Sequence, residues 1–325
     1  MDKSPVSYRS ILLAIIFSSV MLFLIGFRDI FYHKTRVVFC DVGQGDAAYI
    51  RTRKKQDILI DAGPDGRVLS CLGKYMPFYD RKIELAFLSH PQKDHYGGYL
   101  EVVERYQIDN FIVSALNNNN QSFNLLKTKL RKKKTKIKNV YAGEKIMLEK
   151  NSLPSQMLSR ANSKEENIEF LWPKRQFMAE NTICKEGICP VFTNNNVLGA
   201  FAATTDLNDF SSVFLFSQGN FNVLFTGDAS PKVLNSLVGT IDESSRDNID
   251  IFKIPHHGSK NGLTKEFLIL ADPKLSVISV GKNNSYGHPA TEILEMLKAL
   301  KKKYLRTDEK GDIVVEVEER GWRVK

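Results

Sequence analysis

Leu88-Ser89-His90-Pro91-Gln92-Lys93-Asp94-His95-Tyr96-Gly97-Gly98 places two imidazoles and a carboxylate within six residues. It follows the apolar run Ile83-Glu84-Leu85-Ala86-Phe87-Leu88 and precedes a glycine pair able to open a helix, the layout of a metal site at a strand end. The chain has six histidines, and five of them, His90, His95, His256, His257 and His288, sit in short Gly/Pro/Asp-punctuated segments after strand-like runs. Histidines of a packed core have no reason to sort that way.

Upstream, Val37 to Asp46 reads as a strand entering a glycine turn, Ala47 to Thr52 returns as a strand, and Asp57 to Gly63 is a third strand ending on Asp61. Downstream come a helix from Tyr96 to Tyr106, a strand from Asn110 to Ala115, a helix from Gln121 and a strand around Val140. Asn151 to Asn196 reads as an insertion or long loop, with an apolar run only at Ile168 to Trp172. Regular pattern resumes with a hairpin, Ser212 to Phe216 and Asn222 to Asp228, and a helix from Pro231 to Val238. Strands follow at Asp250 to Ile254 and Leu275 to Val280, then a helix from Thr291 to Lys302 and a closing hairpin from Asp312 to Val324.

Strand ends on one edge of a layered α/β fold converge, and here they carry Asp46, Asp61, His90 to His95, Asp228, His256-His257 and Asn284 to His288. Imidazole nitrogen and carboxylate oxygen suit divalent cations. Asp228 is the candidate bridge between two ions held roughly 3.5–4 Å apart, a pair able to deprotonate water near neutral pH. Singly, Asp61 is an ordinary turn residue, Asp228 a hairpin end and His288-Pro289 a helix start. Two adjacent imidazoles after an apolar strand have little purely structural use.

The 325 residues carry a net charge of +9; residues 1–32 hold three cations and two acids, which leaves +8 on the rest. A basic body favours nucleic acid, acidic polymer or anionic lipid as partner. Lys127 to Lys138, KTKLRKKKTKIK, contains eight cations and no acid. It reads either as a solvated helix face or as a patch that tracks a phosphate backbone through Lys127, Lys129, Arg131, Lys132, Lys133 and Lys134. Ile11 to Phe27 is apolar apart from two serines and a glycine, and no small-residue cleavage site follows. It reads as an uncleaved membrane anchor near the lower limit of spanning length. His33 beside it reads as interfacial. Four cysteines do not make a disulfide scaffold; Cys184 and Cys189 form the one close pair, and Cys40 and Cys71 read as buried thiols.

Taken together and in this order, DVGQGDA, LIDAG, SHPQKDHYGG, LFTGD, PHHGS and NNSYGHP resemble the metallo-β-lactamase-fold domain of the ComEC family of DNA-uptake proteins. The resemblance implies an α/β fold, an αββα metallo-β-lactamase sandwich over residues 33–325, preceded by one transmembrane helix within residues 1–32. It implies a phosphodiester hydrolase, a nuclease acting on DNA in competence, with the catalytic domain outside the cytoplasm. Matched motif by motif, it assigns His90, Gln92, Asp94 and His95 as ligands, Asp228 as bridge and His256 or His257 as closing ligand. Two divalent ions, zinc or manganese, are implied, or one. Asp61 orients a ligand. Asp94, Asp46, Asn284 and His288 are implied at the chemistry, with His288 and Asn284 near the scissile phosphate or leaving oxygen. Gln92 departs from the family, where Asp is usual, and no histidine between His95 and Asp228 supplies the wider fold's third ligand segment; Asn208 to Ser212 stands there. The family's many-helix channel has no counterpart in this sequence.

Three functions compete: a membrane-anchored nuclease with the uptake machinery as partner, a hydrolase of a non-nucleic phosphodiester such as a cell-wall polymer or phosphocholine ester, and a DNA-capturing surface protein with a degenerate site.

Overall fold

A computed structural model of the chain describes residues 7–30, 34–148, 166–184, 198–240, 249–318 and 321–325. His33, Cys189 and much of the Asn151 to Asn196 segment lie outside the described residues. Two large sheets dominate. The first has eight strands in the order Gly321–Val324, Ile313–Glu318, Thr35–Phe39, Ala48–Arg51, Asp57–Ile60, Lys82–Leu88, Gln107–Val113, Lys136–Lys138. The second has seven: Tyr304–Arg306, Leu275–Ile278, Ile251–Lys253, Phe221–Phe225, Val213–Gln218, Glu166–Trp172, Lys145–Met147.

Period-two side-chain alternation divides each strand between two cores. Val37 and Phe39 enter the core between the sheets, while Val38 and Cys40 face a second core shared with the helices Val68–Tyr75, Tyr99–Arg105 and Gln121–Lys132. On the far side Leu224, Phe252 and Ile278 pack against Pro231–Ser236, Lys265–Ala271 and Thr291–Ala299. The result is helix, sheet, sheet, helix. Both faces of the central strands are buried, so they read as near-continuous apolar runs. Between the sheets Phe214 stacks on Phe87 at 5.3 Å and on Phe225 at 5.2 Å. Such pairs add about 1 kcal/mol each beyond their buried area.

Parallel pairing puts the chemistry at one edge. Asp57–Ile60 and Lys82–Leu88 run parallel in the first sheet, as do Phe221–Phe225, Ile251–Lys253 and Leu275–Ile278 in the second. Their carboxyl ends lead into Asp61, His90, Asp228, His257 and the loop before His288.

Several sequence expectations change. Glu166–Trp172 is a core strand paired along Val213–Gln218, where an insertion was expected. Polar residues masked its pattern: Glu166 is buried, and its carboxylate accepts hydrogen bonds from Thr35 Oγ1 at 2.9 Å and Arg53 N at 3.0 Å. The strand expected around Val140 forms earlier, at Lys136–Lys138.

Cys40 and Cys71, expected as thiols, are joined in a disulfide with Cα atoms 5.8 Å apart. It ties the end of the strand before the glycine turn to the helix Val68–Tyr75. Whether Cys184 and Cys189 pair, left open by the sequence, lies outside the described residues, which include only Cys184.

The amino-terminal helix, Tyr8–Ile30, spans 23 residues and forms where the apolar run places it. Leu13, Ile15, Phe17 and Val20 on it are all exposed. Among the described residues no helix is long and apolar enough to cross a membrane, so the spanning helix expected from the sequence is not shown.

Closing a loop across 31 residues of sequence, the disulfide is expected to contribute ~3–4 kcal/mol by the chain-entropy relation. The double variant Cys40→Ser/Cys71→Ser is expected to lose that much in denaturant unfolding; unchanged stability would show that the bond does not form.

Candidate metal centre

The first sheet contributes through three interlocked loops. Asp46 N donates to Asp94 O at 3.2 Å, Gly63 N to Asp46 O at 2.8 Å and Ala62 N to His95 O at 2.7 Å. Glycine is required where these backbones meet. A Cβ on Gly45, at φ +152°, would lie 2.4 Å from Asp94 O, and one on Gly97 would lie 2.0 Å from Pro64 O. The motif glycines are therefore packing requirements of the site.

Asp61 organises the histidines. Its Oδ1 accepts from Ser89 N at 2.8 Å, and its Oδ2 accepts from Ser89 Oγ at 2.7 Å and from His95 Nδ1 at 2.8 Å. Held that way, His95 presents Nε2 to Asp228 Oδ1 at 3.3 Å and to Asp94 Oδ2 at 4.0 Å. From the second sheet, His257 Nδ1 donates to Ser279 O at 3.0 Å, with Asp46 Oδ1 3.2 Å away. His257 Nε2 then lies 3.4 Å from Asp94 Oδ2 and 3.6 Å from Asp228 Oδ2. Each ring spends Nδ1–H on an orienting acceptor and aims Nε2 inward, as histidine ligands do.

Asp94, His95, Asp228 and His257 each offer a ligand atom, all within 4.8 Å of one another. The edge of a tetrahedron built on ~2.1 Å bonds is about 3.4 Å, close to these donor separations. Among the described residues, Nε2 of His95, Nε2 of His257 and Oδ1 of Asp228 are buried without a hydrogen bond. Buried polar atoms in that state need a partner, and a cation among them would serve all three. The donor set fits one divalent cation.

The other expected ligands differ. His90 is fully buried and its Nε2 is also unpartnered, but Nδ1 lies 3.1 Å from both Ser89 Oγ and Ser211 Oγ. Gln92 commits Nε2 to Asn208 Oδ1 at 3.0 Å. A second position beside His90 would draw on His90 and Asp228, with Gln92 Oε1, which that bond does not use, as a neutral and weaker oxygen donor. Of the two adjacent histidines, His257 is buried and joins the cluster, while His256 remains at the rim with Nε2 3.8 Å from Asp228 Oδ2. Both adopt positive φ, 50° and 54°, in the turn before Gly258. That turn is what sends the two rings different ways.

Asn284, expected near the phosphate, is spent on its own loop. Its Nδ2 donates to Gly281 O at 2.9 Å and His288 O at 2.7 Å, and its Oδ1 accepts from His288 N at 2.9 Å. It clamps the loop that presents His288, whose ring centroid is 5.8 Å from that of His256 and 6.4 Å from that of His257.

Lys253 was not anticipated. It is the one cation in the buried strand Ile251–Lys253, is 3% exposed, and ion-pairs with Asp46 beneath His257. A lysine amid Ile251, Phe252 and Ile254 was the signal available in the sequence. The buried trio Asp46, Asp61 and His95 also gathers ligand atoms, but Lys253 supplies the positive charge there, and Asp46 and Asp61 serve to orient. The cation run divides: Lys127 bonds Asn117 Oδ1 at 2.8 Å and Lys129 pairs with Glu104 at 2.6 Å, while Arg131, Lys132, Lys133 and Lys134 are exposed.

In the metal-free protein these buried charges balance one another. Burial opposes ionisation of Asp228, but His95 and His257 outweigh it and hold the carboxyl well below its usual range. Burial likewise opposes Asp94, yet His95 and His257 hold it low. Conversely, Asp228 and Asp61 overcome burial to raise His95 well above its ordinary value, and Asp228 and Asp46 raise His257 to about 10. Burial, then His95, pushes His90 down to about 3. Burial raises Asp61 against the pull of His95. His288 is lowered by burial and by His257 and His256.

An αββα sandwich with His and Asp donors at the strand ends of one edge is the metallo-β-lactamase arrangement that the motifs imply. The homologues of the chain are ComEC-family proteins: it is 33% identical over 106 residues to ComE operon protein 3 of Bacillus subtilis, covering 33% of this chain and 13% of that one. It is 28% identical over 159 residues to Recombination protein 2 of Haemophilus influenzae, covering 46% of this chain and 19% of that one. The chain thus spans less than a fifth of the length of either relative. No family model matches. Among solved structures, Igni18, a metallo hydrolase from Ignicoccus hospitalis, is 14% identical with a TM-score of 0.49, covering 87% of this chain and all of that one.

His257→Ala is expected to abolish tight metal uptake in plasma mass spectrometry, while His256→Ala keeps about one ion per chain; equal loss in both would contradict the assigned ligand. The neighbouring carboxylates favour the protonated imidazoles of His95 and His257, so an ion binding there competes with protons. Affinity is expected to rise with pH by roughly tenfold per unit for each proton displaced. Calorimetry in buffers of different ionisation enthalpy is expected to register proton release on metal binding. A buffer-independent heat would contradict the assignment.

Proposed function

We propose that the chain is a metal-dependent phosphodiester hydrolase, a nuclease acting on DNA in an uptake setting. The observation that carries this reading is the cluster of half-buried Asp94 with buried His95, Asp228 and His257, in which Nε2 of both histidines and Oδ1 of Asp228 have no hydrogen bond. A divalent cation bound there supplies Lewis acidity and lowers the pKa of water. The protein's own groups do the rest. Asp61 and Asp46 fix the rings of His95 and His257, and the Asn284-clamped loop sets His288 at the mouth.

The similarity to competence and recombination proteins supports DNA as substrate and the uptake machinery as partner. So does charge. Asn118 Nδ2 donates to Pro91 O at 2.6 Å, so the segment leading into Gln121–Lys132 abuts the ligand loop. Arg131 to Lys134 stand at the helix's other end, roughly 16 Å away at ~1.5 Å per residue. One ion, zinc or manganese, is proposed as the tightly held one, since Asp94, His95, Asp228 and His257 complete a four-donor set without the position beside His90. The four-ligand cluster argues against a degenerate, binding-only site.

Residues 1–32 are proposed as a membrane anchor and residues 33–325 as the hydrolase domain, placed outside the cytoplasm. The exposed apolar side chains of Ile11, Leu13, Ile15, Phe17 and Val20 support the anchor, and the Cys40–Cys71 disulfide supports an oxidising compartment.

The detergent-solubilised chain loaded with manganese is expected to cleave linear and single-stranded DNA, with Asp228→Ala at least 1000-fold slower, roughly the scale of losing a principal electrostatic contribution. Replacing Arg131 to Lys134 with Gln is expected to flatten the salt dependence by about one unit of slope for every phosphate no longer neutralised. DNA left intact while a phosphocholine ester is hydrolysed would replace nuclease by the non-nucleic reading.

A further inference from the structure

We propose that Tyr286 is a stacking platform for an unpaired nucleobase next to the phosphodiester held at the metal centre; this rests on the nuclease reading above. Outside the amino-terminal helix, Tyr286 is the most exposed large apolar side chain among the described residues, at 70%. A ring held in water keeps its π-face and its gain of burial available to a ligand. The loop that carries it is not loose. Asn284 closes it with three hydrogen bonds to backbone atoms of Gly281 and His288, on either side of Tyr286.

The ring also has a definite direction. Tyr286 lies 5.8 Å from His288 at an interplanar angle of 25°, and His288 lies 6.4 Å from His257 at 26°. Three near-parallel rings therefore lead from solvent to a residue of the metal cluster. The two steps put the Tyr286 centroid at most about 12 Å from that of His257, about three phosphate spacings at the ~3.4 Å of a stacked strand. A base seated on the open face of Tyr286 leaves its neighbouring phosphates within reach of the centre. Every base has a π-face, so such contact is indifferent to sequence, and it requires an unpaired base.

A quaternary ammonium is the other ligand that aromatic faces attract. The surroundings disfavour it. Exposed Lys93, Lys260 and Lys282 occupy the same loops as Asp94, His257 and His288, and Gly281 to Ala290 contains no acid. A cationic headgroup would meet like charge there, whereas a nucleotide brings the phosphates these lysines attract.

The test uses the metal-loaded full chain and fluorescence anisotropy with phosphorothioate oligothymidine, which resists cleavage, and an abasic strand of equal length. Tyr286→Ala is expected to weaken oligothymidine binding by roughly 5- to 100-fold, the range of ~1–3 kcal/mol per stacked base. Tyr286→Phe is expected to stay within about twofold of the unaltered protein, since it keeps the ring. All three proteins are expected to bind the abasic strand alike. Equal oligothymidine affinity for Tyr286→Ala and the unaltered protein would overturn the proposal, as would a parallel loss on the abasic strand. So would a loss confined to turnover of a phosphocholine ester, which would assign the ring to an ammonium. Stacking that depends on Tyr286 in a protein that cuts no DNA would leave base capture beside the metal centre standing and remove the nuclease reading instead.

Discussion

Burying carboxylates without water forces the protein to supply counter-charge, and that constraint shapes the whole edge of the sandwich. Asp46, Asp61 and Asp228 are each at most 5% exposed. Isolated, each would cost several kcal/mol to ionise. Here Lys253 answers Asp46, His95 lies between Asp61 and Asp228, and His257 lies between Asp46 and Asp228. A divalent cation among these carboxylates would supply the positive charge that protonated His95 and His257 supply without it. The site is thus a charge balance in two equivalent forms, one closed by protons and one by metal.

That balance depends on the fold at its most exacting points. Ligands from the two sheets meet only because parallel strands end at the same edge and the Phe87, Phe214 and Phe225 stack holds the sheets in register beneath them. The loops close because Gly45 and Gly97 admit backbone atoms where any side chain would collide. The disulfide then fastens the glycine-turn strand to the helix layer. Packing, backbone geometry and electrostatics thereby select the same small set of residues.

Most of this was legible in the sequence, because strand ends are marked by abrupt changes from apolar runs to His, Asp and Gly. That punctuation marked His95, Asp94 and Asp228 as candidate ligands, while the orienting role of Asp61 came only with the family resemblance. What escaped was information carried by three-dimensional direction. Whether His256 or His257 turns inward is set by consecutive positive φ values, and Asn284 looked like a substrate contact because its backbone partners are close in sequence but visible only in the folded loop. Glu166–Trp172 was hidden because its buried glutamate finds partners in Thr35 and Arg53, more than a hundred residues away. Cys40 and Cys71 lie in unrelated segments, and only the stacking of helix on sheet brings them together.

The most direct test is anomalous diffraction from crystals grown with manganese. The account places one strong peak among Asp94, His95, Asp228 and His257, with bonds near ~2.1–2.2 Å and His256 left outside. A peak bound instead by His90 and His256, or none at full manganese loading, would contradict it.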